Sequence, residues 1–150
     1  MKRLISLTAA LALAPLTAFA AGDGWLTDLD EAKAIAKAEN KAILIEFTGS
    51  DWCPPCKMLK KEVFGTEEFA EAATKDFVLV QLDFPRKTEQ SEELKEKNKA
   101  LAKTYGIRGY PTVVLTDDEG KEFARTGYRK GGVDSYLKHL AKLLDRKDLH

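Results

Sequence analysis

Two cysteines, Cys53 and Cys56, are the only ones in a chain of 150 residues, and two positions separate them. A pair at this spacing can close into a disulfide and open again, and its nucleophile is the thiolate. As a structural staple it would do little, because the loop it closes is too short to constrain the unfolded chain strongly. A zinc site needs about four ligands. The only histidines, His139 and His150, lie far along the chain, so a metal site would have to be shared between two chains. No metal and no cofactor is expected.

The flanking residues say what must hold the pair. Ala42 to Thr48 is a nearly continuous apolar run, as expected of a strand covered on both faces. Gly49-Ser50-Asp51 breaks it, and Trp52 and Cys53 follow at once. Pro54 and Pro55 suit the first turn of a helix, where a missing amide hydrogen costs nothing. A thiol at a helix N-terminus meets the positive end of the helix dipole, which can bring its pKa from ~8.5 into the range of roughly 3.5 to 7.5. Cys53, the outer residue, is then the attacker. Cys56, a turn further in, resolves the mixed disulfide by attacking Cys53. Lys57 adds a positive charge nearby, or is simply solvated. Glu46 is the one charged residue in the apolar run, either buried near the pair or solvated at an edge.

The rest of the chain supplies a scaffold. Residues 21–27 read as a flexible lead-in and 28–40 as an amphipathic helix capped by Thr27 or Asp28, with Leu29, Ala32, Ile35 and Ala36 on one face. The helix that begins at Pro54 runs toward Val63, Gly65 interrupts it, and Thr66 caps a continuation. Strands are expected at 77–83, 112–116 and 121–126. A polar connection over 85–91 leads to a charged helix from Glu92 to Tyr105, ended by Gly106. The last helix spans 132–144, with Val133, Tyr136, Leu137, Leu140 and Leu144 at helical spacing. The order αβαβαββα makes this an α/β chain with a mixed sheet of four to five strands and helices on both faces.

The N-terminus carries an address. Lys2 and Arg3, the apolar run Leu4 to Leu13 and Ala18-Phe19-Ala20 follow the order of a secretory signal, with cleavage expected after Ala20. The run is too short to span a membrane. Residues 1–20 are therefore read as a signal peptide, residues 21–150 as one domain, and the location as periplasmic or secreted. Apolar residues make up 44% and charged residues 32%, with 24 basic and 24 acidic side chains. Such a balance argues against a nucleic-acid partner.

Trp52-Cys53-Pro54-Pro55-Cys56-Lys57 resembles the active site of the thioredoxin family, with Pro54 where thioredoxin usually has Gly. Tyr105-Gly106-Ile107-Arg108-Gly109-Tyr110-Pro111-Thr112 resembles the family's cis-proline segment. The resemblance covers about residues 41–144. It implies the thioredoxin fold, and it implies that Pro111 is a cis-proline facing the cysteines. Trp52, Pro54, Tyr110 and Pro111 would form the substrate-binding surface, although Trp52 and Tyr110 also suit ordinary packing. Glu46 would match the family's buried acid behind the second cysteine, which helps move its proton. Four departures stand out: Glu replaces Asp, the strand–helix connection is one residue longer, the connection from Pro85 to Asn98 is extended, as in small exported thioredoxin-like proteins of bacteria, and Tyr110 is bulkier than the residue common at its position.

The resemblance implies a thiol–disulfide oxidoreductase, catalytic through Cys53 and Cys56 with Glu46 and Lys57 in support. A monomeric reductant is expected. Its partners would be exported proteins bearing disulfides or thiols, with a membrane protein as electron donor. Disulfide oxidase or isomerase is the alternative within the class. Outside it stands a thioredoxin-fold binding or chaperone module without turnover.

Overall fold

The computed structural model describes residues 24–147; the segment read as a signal peptide, and His150, lie outside them. Four strands, β1 (Ala42–Thr48), β2 (Phe77–Asp83), β3 (Thr112–Thr116) and β4 (Glu122–Thr126), form one sheet in the order β2-β1-β3-β4. β1 runs parallel to β2 and antiparallel to β3, and β3 runs antiparallel to β4. The mixed sheet flanked by helices is the expected architecture.

β1 has strand neighbours on both sides and helices on both faces, and all seven of its residues are buried. Alternation along the strand divides them. Ile43, Ile45 and Phe47 point into a core with Val80, Leu82 and Val114. That face is covered by α1 (Leu29–Glu39), through Leu29, Ala32 and Ala36, and by α4 (Glu92–Thr104) through Leu101 and Ala102. Ala42 and Leu44 point the other way, toward α2 (Pro54–Leu59), α3 (Glu67–Ala73) and α5 (Gly132–Leu144). Glu46 shares the parity of Leu44 and so faces the α2 side.

Caps set the helix ends as their chemistry requires. The Asp28 carboxylate accepts the amides of Asp30 and Glu31 at the start of α1. Asn40 ends that helix in the left-handed region at φ 53°. The hydroxyls of Thr66 and Ser91 accept from Phe69 and Leu94 at the starts of α3 and α4. The stretch Lys60–Phe64 is a π-helical turn, a departure from the plain helix expected toward Val63. Its wider loop closes with the Gly65 amide donating to the Lys60 carbonyl at 2.7 Å. A Cβ on residue 65 would stand 2.8 Å from that oxygen, so this close approach needs glycine.

Two further expectations are corrected. Residues 24–27 do not stand apart from the fold: Leu26 forms a parallel bridge to Val80, and Trp25 stacks on Phe69 and packs at a tilt against Phe64. Lys121 lies outside β4, because the Asp117 carboxylate holds the amides of Glu119 and Lys121 in the turn. On α5 the expected face holds: Tyr136 and Leu140 are buried with Leu143, and Val133, Leu137 and Leu144 are partly buried against the same core. No helix among the described residues is long and apolar enough to cross a membrane.

Phe69 is fully buried among Trp25, Phe64 and Tyr136. Phe69→Ala should cost roughly 3–5 kcal/mol of stability, the loss expected for a buried aromatic. Urea denaturation of the oxidised protein, followed by tryptophan fluorescence, measures it.

Candidate active site

Cys53 is the N-cap residue of α2, in extended backbone conformation, with Pro54 and Pro55 directly after it. Its amide donates to the Gly49 carbonyl at 2.9 Å. Cys53 and Cys56 are joined in a disulfide, with their Cα atoms 5.2 Å apart. Both are buried in this oxidised form. The Gly49 amide points at the Cys56 sulfur from 3.5 Å. Because prolines carry no amide hydrogen, Cys56 is the only one of the first three helical residues with an N–H to offer the Cys53 sulfur.

The approach from β1 to Cys53 is tied down residue by residue. Ser50 donates its amide and its hydroxyl to the Asp83 carboxylate at the end of β2. The Asp51 carboxylate accepts three consecutive amides, from Arg86, Lys87 and Thr88, at 3.0, 2.7 and 2.8 Å. Those bonds favour the charged form and hold its pKa at about 2. The Trp52 indole N–H donates to the Phe84 carbonyl at 2.8 Å, and its ring lies over Gly49. A Cβ at position 49 would stand 2.5 Å from that ring, so only glycine admits the tryptophan there.

Trp52 meets Tyr110 edge to face, with centroids 5.8 Å apart. Tyr110 also packs on Phe84, and burial raises the pKa of its hydroxyl. The Tyr110–Pro111 bond is cis. The contact brings this segment, far along the chain, against Trp52, the residue that precedes Cys53.

Glu46 is 1% exposed and sits on the central strand facing α2. Gln81, its register partner on β2, donates to it at 3.0 Å, and Thr48 also hydrogen-bonds to it. Burial is the dominant influence and pushes its pKa up to about 7; the two hydrogen bonds oppose this. A cavity of about 190 Å³ opens beside it, lined by Glu46, Thr48, Gln81, Cys56, Lys57 and Lys60. The carboxyl and the inner sulfur therefore share one space, and the solvated edge position is excluded. Lys57 is exposed at the margin of that cavity.

The structure thus brings Glu46, Lys57 and Cys56 around one cavity, and Trp52 and Tyr110 into contact beside Cys53. Sequence reasoning missed Asp51, Gln81, Phe84 and Arg86. In the sequence Asp51 reads only as a break in the strand pattern, yet a carboxylate at a loop start is a ready partner for free backbone amides. Nothing local marked Phe84 or Arg86, which reach the site by the return of the chain after β2.

Residues 29–142 match the family described as the thioredoxin-like domain. The chain is 37% identical over 114 residues to the Disulfide bond reductase DsbH of Chlamydia pneumoniae, covering 76% of this chain and 69% of that protein. It is 32% identical over 103 residues to the Thioredoxin-related protein DsbJ of the same organism, covering 69% of this chain and 30% of the longer relative. A solved structure, DsbH Oxidoreductase, superimposes with a TM-score of 0.77 at 34% identity, over 93% of this chain and 95% of that one. The chain belongs to the thioredoxin-like family. With its Cys-x-x-Cys pair at a helix start, it is a thiol–disulfide oxidoreductase.

The buried carboxyl makes a pH prediction with a definite sign. An unfolded Glu46 ionises near 4.5 and the folded one near about 7. Between these values the folded state holds the extra proton, so stability falls as pH rises through this window and levels off above it. The fall should reach about 3 kcal/mol and be absent in Glu46→Gln. Denaturant titrations of both oxidised proteins at pH 5 and pH 8 check it.

Proposed function

We propose that this protein reduces disulfides in exported proteins, with Cys53 as attacking thiolate and Cys56 as resolving thiol. The observation that carries the mechanism is the cavity shared by Cys56 and the buried Glu46. In the reduced protein the Cys53 thiolate attacks one sulfur of the partner's disulfide. A mixed disulfide forms and the other partner sulfur leaves as a thiolate. Glu46, ionised near neutral pH, then takes the Cys56 proton across the cavity. The Cys56 thiolate attacks the Cys53 sulfur, and the partner's second sulfur departs. Two electrons pass to the partner, and the enzyme ends in the Cys53–Cys56 disulfide form. A further dithiol donor must reduce it again, and a membrane protein is the donor class that an exported reductase calls for.

Pro54, Tyr110, Pro111 and Trp52 form the face presented to the partner chain in this reading, and Lys57 favours anionic sulfur nearby. Two observations support reduction as the direction. One is the similarity to a protein named as a disulfide bond reductase. The other is the scarcity of amide hydrogens in the first turn of α2. Fewer donors leave the Cys53 thiolate less stabilised, and a less stable reduced form gives up electrons more readily. Export rests on the Lys2-to-Ala20 signal pattern.

Cys53→Ser should abolish reduction of a protein disulfide while leaving the fold intact. Cys56→Ser should instead accumulate the mixed disulfide, visible by non-reducing electrophoresis. Full activity in Cys53→Ser would refute the mechanism.

The reduction potential decides direction. Equilibration in graded thiol buffers should give a value near ~−270 mV, where thioredoxin lies. A value of ~−120 to −180 mV, the range of oxidising and isomerising enzymes, would replace reduction by the alternative.

A further inference from the structure

The loop that follows β2 is fastened to the two residues before Cys53. Phe84 donates its amide to the Thr48 carbonyl at 2.8 Å and accepts the Trp52 indole N–H. The next three amides, from Arg86 to Thr88, all go to the Asp51 carboxylate. These bonds fix the backbone of residue 86 beside the site whatever its side chain.

The Arg86 side chain uses that position in a specific way. Its guanidinium carbon lies 3.5 Å from the centroid of the Trp52 ring. Arg86 is exposed, and among the described residues its guanidinium makes no ion pair. A guanidinium resting on an aromatic face keeps the N–H groups at its rim free, and the stacking restricts its rotamers before any partner arrives. Asp51, the acid that fastens this loop, spends its oxygens on three backbone amides. What remains is a pre-ordered cation, unpaired, beside the tryptophan that adjoins the reactive sulfur. Lys57 and Lys87 are also exposed, so three cations border the site against the one ionised carboxylate of Asp51, whose oxygens are taken up by backbone amides.

We propose that Arg86 is a specificity-determining residue that selects partners bearing an acidic side chain next to the disulfide to be reduced. The inference rests on the reading of Cys53 as the residue that attacks a partner's disulfide. A carboxylate there can accept two parallel hydrogen bonds from the guanidinium rim. Because the cation is already ordered, the contact costs little side-chain entropy. The alternative is that Arg86 only covers the apolar face of Trp52. A covering role would affect all partners alike.

The test uses two synthetic peptides, each with one intramolecular disulfide, that differ only in Glu or Gln beside a cysteine. The reduced protein should show a kcat/KM about fivefold higher for the Glu peptide at low ionic strength, the upper range for an exposed ion pair. The ratio should fall toward one in Arg86→Gln, recover in part in Arg86→Lys, and shrink for the unaltered protein at high salt. A ratio near one in the unaltered protein overturns the inference, as does a preference that survives in Arg86→Gln. Exchange with both peptides at equal rates would sink this inference alone. Exchange with neither would remove the reading of Cys53 on which it stands.

Discussion

The parallel pairing of β1 with β2 is the constraint on which the rest of the site depends. Its register sets Thr48 against Asp83 and Glu46 against Gln81. The first match puts the Asp83 carboxylate where Ser50 can bind it, and the second supplies the hydrogen bond to the buried Glu46 carboxyl. Because the two strands end together, the chain leaving β1 toward Cys53 and the chain leaving β2 toward Arg86 emerge side by side. Asp51 and Trp52 then fasten one to the other. A shift of one residue in this pairing would turn Glu46's partners to the opposite face and undo each of these contacts.

Asn98 on α4 extends this arrangement into the helix layer. It is buried, and its side-chain amide donates to the Asp83 carbonyl at 3.1 Å, where Gln90 also donates at 3.2 Å. The extended connection after β2 is therefore anchored at its start by Trp52 and Asp51, and near its end by Gln90 and Asn98. A long connection usually carries more freedom than the elements it joins. Here its polar groups are spent on the site, which is what lets a flexible arginine side chain hold one place beside Trp52.

The chemistry of the pair divides between the two ends of one turn of helix. At the outer end, Cys53 meets few amide donors because Pro54 and Pro55 have none. At the inner end, Cys56 lies in a cavity with a carboxyl that takes up and releases a proton near neutral pH. Burial destabilises the charged carboxylate, and Gln81 and Thr48 partly offset that cost. A carboxyl held by the same bonds but open to water would titrate lower.

Much of this molecule was legible in its sequence, and the reason is that the legible parts are local. The strands Ala42–Thr48, Phe77–Asp83 and Thr112–Thr116 follow from apolar runs bounded by breakers, and Asp28, Thr66 and Ser91 cap helices within a few residues of their own positions. The Cys-x-x-Cys pair and the prolines that start α2 are likewise written in adjacent residues. The side of the sheet that Glu46 faces was not, because both faces of β1 are covered by helices and look alike in an apolar run. Only the packing of α2 over the Leu44 face decided that Glu46 lies by Cys56. The same holds for Phe84 and Arg86, more than thirty positions from Asp51 and Trp52. Their contacts exist because strand pairing brings two distant chain segments together, and no local pattern encodes such a meeting.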